Sequence, residues 1–200
     1  MQNSSCLSGR AVLELRPSAY GKERRLNMAK KWYDVLRHAL RMYANKHKYA
    51  YLYGANGEIG SRELVERLWA QYPDHFRENV TIQGYRKEDL IQHVMCRNCY
   101  DCSSFVCAVT QTNTYPHFTV VKDYASDGLH GVMSPRRTPV EGTAGSILWK
   151  PGHVALDIGH GMCIDFANEF IDMRLYDIST GNFVDDGELP WVDYTGTSNL

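Results

Sequence analysis

The chain has 200 residues, a formal net charge of -1 and a sequence pI near 6.7. That length builds one domain with a real core, or one domain with a small appendage. The near-neutral balance lacks the basic patch of a dedicated nucleic-acid binder, and no apolar run approaches the ~20 residues that span a bilayer.

Residues 1–28 are polar and irregular, and they read as an N-terminal arm. They show no basic segment followed by an apolar core, so no secretory leader is expected and delivery outside the cell would need another route. From Ala29 to about His47, Trp32, Val35, Leu36, Ala39, Leu40 and Tyr43 recur at helical spacing, predicting an amphipathic helix whose stripe packs into the core. Tyr49 to Gly60 is turn-rich. Ser61 is placed to cap a second helix, with Leu64, Val65, Leu68 and Trp69 inward and Pro73 stopping it after Tyr72. Lys87 to Met95 predicts a third helix, and residues 103–111 a short buried one.

After residue 140 the texture changes to short apolar runs, SILW, VALDI and MCIDF, separated by Pro-Gly and Gly-His-Gly turns. These predict adjacent antiparallel strands. Helices first and strands later make the class α+β.

The six cysteines are Cys6, Cys96, Cys99, Cys102, Cys107 and Cys163, four of them crowded together. Without a leader, catalysis or metal binding explains them better than a disulfide scaffold. Cys102 stands where an irregular segment enters an apolar helix. A thiol at a helix N-terminus faces free backbone N–H groups and the positive end of the dipole, which favour thiolate and could also hold an oxyanion. His153 opens a strand after Pro-Gly, and Asp165 follows the next turn. A catalytic imidazole needs a third group to accept its Nδ1–H and fix the tautomer. With a three-residue loop, Gly159 to Gly161, Ala155 pairs with Asp165, which then shares a face with His153 as a diagonal neighbour roughly 7–8 Å away. A two-residue His-Gly loop shifts the register by one and turns Asp165 to the other face.

Two other readings stay open. Cys96, Cys99, Cys102 and Cys107 have spacings that suit an iron–sulfur or zinc site, although a metal there leaves the Gly-His-Val strand unexplained. A catalytically silent binding module is the third. His38, His47, His75, His93, His117, His130 and His160 read as surface or packing residues.

The Y-D-C-S-S-F-V segment at 100–106, the stretch G-S-I-L-W-K-P-G-H-V-A-L-D-I-G at 145–159, and a polar residue twelve after the histidine resemble the NlpC/p-sixty family of papain-like peptidases. The resemblance covers roughly residues 49–178. It implies a papain-like fold, with N-terminal helices packed on a small antiparallel sheet and the nucleophile at a helix N-terminus. It assigns nucleophile and base to Cys102 and His153 and puts Asp165 at the family's third polar residue, commonly a histidine. Tyr51-Leu52-Tyr53-Gly54-Ala55 is similar to the family's aromatic motif, so Tyr51 would line the site. Asp101 and Ser103 would help hold the amino end of the peptide. Neither metal nor other cofactor is implied. The implied partner is the stem peptide of bacterial peptidoglycan, cleaved by endopeptidase or amidase chemistry, and acyl transfer occurs in other branches. Residues 29–200 would form the catalytic domain, with a helical insertion at about 56–96. The gap of about 45 residues between the Tyr motif and Cys102 is longer than is usual in the family, and Ser104 and Ala55 replace glycines. The arrangement is similar to phage-borne and prophage-borne lysins, which reach the wall by lysis, a holin or the phage particle.

Overall fold

The computed structural model describes residues 29–112 and 120–196. The expected arm at 1–28 therefore lies outside the described residues.

The chain enters through a short strand β1 (Lys30–Lys31) and the helix α1 (Trp32–Ala44), shorter at both ends than its periodicity predicts. Its buried face is Val35, Leu36, Ala39 and Met42; Leu40, expected inward, is exposed. The strand β2 (Tyr49–Tyr51) follows, then β3 (Asn56–Ile59), α2 (Arg62–Gln71), α3 (Lys87–Val94) and β4 (Asn98–Tyr100). Ser61 caps α2 as expected, its hydroxyl accepting from Leu64 N at 3.1 Å. The helix α4 (Cys102–Gln111) starts one residue after its cap, Asp101. After it come α5 (Ser126–Val132), β5 (Arg136–Arg137), β6 (Ile147–Lys150), β7 (His153–Gly159), β8 (Met162–Phe166), β9 (Met173–Asp177), β10 (Asp185–Gly187) and β11 (Val192–Asp193).

The class is α+β. The main sheet is antiparallel, in the order β5-β10-β6-β7-β8-β9. The three predicted strands form its middle. One face, through Ile147, Val154, Leu156, Ile164 and Phe166, packs on Phe105, Val106 and Val109 of α4 and on α1. A buried helix is thus laid on an antiparallel sheet. The C-terminal end of α4 is held by Lys30, whose ammonium donates to Val109 O at 2.6 Å and Thr112 O at 2.5 Å. These are among the carbonyls a helix end leaves unpaired.

The stretch expected as a helical insertion at about 56–96 carries its two helices, but it also supplies β3 to a second, three-stranded sheet. Here β4 lies between β2, parallel to it, and β3, antiparallel. A separate core of Leu52, Leu64, Val65, Leu68, Trp69, Phe76, Leu90, Ile91 and Val94 fills this unit. It meets the loop between β8 and β9 through side-chain contacts: His75 with Glu169 at 2.8 Å, and His93 and Arg97 with Asp172 at 2.9 and 2.8 Å.

Behind the main sheet, Asp157 of β7 and Asp186 of β10 are both buried, as is Ser146. Their carboxyls face each other beside Gly142, where a Cβ would lie 1.5 Å from Asp186 Oδ2 and 2.6 Å from Asp157 Oδ2. Only glycine fits there.

Candidate active site

Three elements converge. Asp101 caps α4: its Oδ1 accepts from Ser104 N at 2.8 Å, while Ser104 Oγ accepts from Asp101 N at 2.9 Å. This reciprocal box sets the first turn, so that Cys102 is the first helical residue. Ser104, which stands where the family pattern has glycine, also donates to Ala55 O at 2.7 Å and so ties the helix to the aromatic motif. Gly54 in that motif has φ +78°, and a Cβ there would lie 2.3 Å from the Tyr72 ring.

Cys102 is buried, with its thiol against the backbone N–H groups of Ser103 and of Val154, the residue after His153. The expectation of a favoured thiolate is corrected here. Burial, reinforced by Asp101, pushes the thiol up to about 12, outweighing those N–H contacts. Burial does the same to Cys99, Cys107 and Cys163, so acidity at rest does not single Cys102 out. Its position does.

The hairpin between β7 and β8 solves the register problem in an unforeseen way. The loop is the two-residue one, His160-Gly161, with both residues at positive φ (55° and 74°) as such loops require. Alone it would turn Asp165 away. A bulge between Asp157 and Gly159 then shifts the ladder back, so that Leu156 pairs with Ile164 and Asp165 falls on the His153 face. His153 Nε2 and Asp165 Oδ2 are 2.7 Å apart. This corrects the expected nitrogen: the carboxylate takes Nε2, which leaves Nδ1 as the other ring nitrogen.

Asp165 is fully buried. It also accepts from Arg174 Nε and Nη2 at 2.8 and 2.9 Å and from the Tyr176 hydroxyl at 2.8 Å. Burial alone would raise this carboxyl, but the hydrogen bonds from His153 and Arg174 win and hold it below the usual carboxylate range. Arg174 and Tyr176 were missed in the sequence. They stand at alternate positions of β9, a strand the apolar pattern did not mark, and Arg174 is the direct cross-strand partner of Asp165.

Tyr51 is buried close to Cys102 and Asp101, and burial and these neighbours raise its phenol well above its ordinary range. Asp101 and Ser103 are engaged with each other and with the cap. Ser103 Oγ donates to Asp101 Oδ1 at 3.0 Å, and Asp101 Oδ2 accepts from Gly54 N at 3.2 Å. Ser103 is buried, and Asp101 is half-buried.

Among the described residues no group of three or more His, Cys, Asp or Glu is placed to hold a metal. Cys99 lies in the core of the smaller unit, whereas Cys102 and Cys107 belong to the main core. Histidine–carboxylate contacts are common in this chain: His75, His93 and His130 each have one. What marks His153 is the cysteine at a helix N-terminus beside its strand.

No protein-family model matches the chain, and no curated protein matches it in sequence. Solved structures similar to it include the peptidoglycan hydrolase RipB of Mycobacterium tuberculosis, at 14% identity over 87% of this chain and 73% of that one, with a TM-score of 0.45. The P60 domain of the M. avium subspecies paratuberculosis antigen MAP1204 matches at 10% identity over 80% and 97%, with a TM-score of 0.43. The NlpC/p60 domain of the peptidoglycan hydrolase SagA matches at 14% identity over 64% and 99%, with a TM-score of 0.36.

Proposed function

We propose that this protein is a cysteine hydrolase that cleaves an amide bond in the peptide part of bacterial peptidoglycan, with Cys102 as nucleophile, His153 as base and Asp165 as the orienting group. The observation that carries the chemistry is the 2.7 Å contact of His153 Nε2 with a fully buried Asp165, on the strand whose next residue, Val154, offers its N–H to the Cys102 thiol. The D-C-S and P-G-H-V motifs support the choice of substrate.

With Nε2 tied to Asp165, Nδ1 is the nitrogen that accepts the Cys102 proton. The sulfur attacks the amide carbonyl, and the oxyanion forms near the Cys102 N–H at the start of α4. His153 then donates the proton to the leaving amine, and a water activated by His153 hydrolyses the thioester. A buried thiol at about 12 makes proton transfer part of the attack, not a preceding step. Tyr51 forms the wall beside the sulfur. Asp101 and Ser103 would take the amino end of the peptide by exchanging their mutual hydrogen bond for one to substrate. The protein would reach the wall by lysis, a holin or a phage particle.

Purified peptidoglycan digested by the protein under reducing conditions should yield stem-peptide fragments by mass spectrometry, and Cys102→Ala should yield none. Fragment masses distinguish endopeptidase from amidase cleavage. Unchanged wall with full Cys102 alkylation would move the assignment to another amide or to acyl transfer. Unchanged wall with no preferential alkylation of Cys102 would leave a silent binding module.

A further inference from the structure

Asp165 is held by more than a triad needs. One oxygen, Oδ2, meets His153 Nε2 at 2.7 Å, Arg174 Nη2 at 2.9 Å and the Tyr176 hydroxyl at 2.8 Å, while Oδ1 takes Arg174 Nε at 2.8 Å. The Arg174 guanidinium lies 4.0 Å from the Tyr176 ring centroid, so the fork is packed as well as paired. A two-pronged guanidinium fixes the plane of a carboxylate in a way a lysine cannot. A fully buried carboxylate facing an imidazole with no other partner would draw a proton onto the ring, and a permanent cation on both oxygens opposes that.

The other charged and titratable groups around the pair do not take over this role. Lys150, the cross-strand partner of His153, is turned to Gly181 O at 2.7 Å and to the Phe183 ring. Phe183 also faces the His153 ring. From the α4 and β2 side come Cys102, Asp101 and Tyr51, with Glu169 beyond Tyr51. From β8 comes the Cys163 thiol. Arg174 is the cation on Asp165.

We infer that Arg174 and Tyr176 are positioning residues of the hydrolase site: they fix the plane of Asp165 and balance its charge, so that the carboxylate orients His153 toward Cys102. This inference rests on the Cys102–His153–Asp165 assignment above.

The test needs no substrate. The rate of Cys102 alkylation by iodoacetamide is followed by peptide mass spectrometry from about pH 5 to about pH 10 for the full chain and for Arg174→Gln, Arg174→Lys, Tyr176→Phe and His153→Ala. Arg174→Gln should raise the rate near pH 6 about tenfold, the equivalent of one pH unit in the onset of reactivity. Tyr176→Phe should move the onset in the same direction by less, and Arg174→Lys, which keeps the charge without the fork, should lie nearest the unaltered chain. A role confined to folding would change the melting temperature and leave the shape of this pH profile alone. A folded Arg174→Gln protein with the original profile overturns the inference. If that variant does not fold, Tyr176→Phe decides, and an unchanged profile there overturns it. His153→Ala separates the two levels. If it too leaves the profile unchanged, the Cys–His assignment itself has failed. If it alters the profile and the β9 variants do not, only the role of Arg174 and Tyr176 has.

Discussion

Replacing Asp186 by asparagine should stabilise the protein at neutral pH and do little in acid. Asp186 is buried against Asp157, and burial together with that neighbour lifts its carboxyl from 3.8 to about 7. The unfolded chain releases this proton near pH 4 and the folded chain keeps it to about pH 7. Between those values the folded state binds more protons, so stability falls as pH rises through the window and levels off above it. Three pH units at 1.36 kcal/mol each put the loss at about 4 kcal/mol. Asparagine does not titrate, fills nearly the same volume, and can donate an N–H to the Asp157 carboxylate. Asp165 and Asp172 are shifted the opposite way, but both proteins share them and they cancel in the comparison. Urea unfolding of the two proteins at several values from about pH 4.5 to about pH 8 measures the difference directly. It should be small at the acid end, grow by about 1.4 kcal/mol per unit, and flatten near pH 7. A constant offset across the range would refute the account of a raised Asp186 carboxyl.

Cys102→Ala and His153→Ala should abolish turnover with little change in the thermal melt, read by activity assay and circular dichroism. Asp165→Ala, expected from its orienting role to cost less activity than either, should also destabilise by about 3–5 kcal/mol in urea, because it strands Arg174 and Tyr176 without their acceptor. Ser104→Gly should cost about 1 kcal/mol by the same measurement, since its hydroxyl links Asp101 N to Ala55 O. Gly54→Ala should lower stability by about 1–3 kcal/mol, through a positive φ and a collision with Tyr72 that a melt would register.

The sequence marked what periodicity and punctuation can mark. Ser61 and Pro73 bounded α2, and the Pro-Gly and Gly-His-Gly turns marked β6, β7 and β8, whose inward residues are apolar. Strands β2 and β4 are three residues each, too short to show a period, and β3 reads as Asn-Gly-Glu-Ile. Only tertiary pairing makes them strands. The placements of Cys102 at a helix start and His153 at a strand start were legible because each follows a local signal, an irregular-to-helical switch and a turn before a strand. The Asp165 contact depended on a bulge whose only trace was three nearby glycine and histidine residues compatible with either loop. Arg174 was illegible because its role exists only opposite Asp165, across a pairing of strands that local sequence does not encode. The thiol was misjudged because the dipole is a local property and burial is not.

Strand β4 runs from the smaller unit directly into Asp101 and Cys102. That unit is therefore the mounting of the proposed nucleophile, not an ornament on the fold. Its neck is a pair of backbone bonds, Gly60 N to Arg97 O at 2.7 Å and Cys96 N to Gly60 O at 3.0 Å. A graft that exchanges the helices for another protein's should cut between Gly60 and Arg97. A cut on the far side of Arg97 would take away the rail on which the sulfur is aligned.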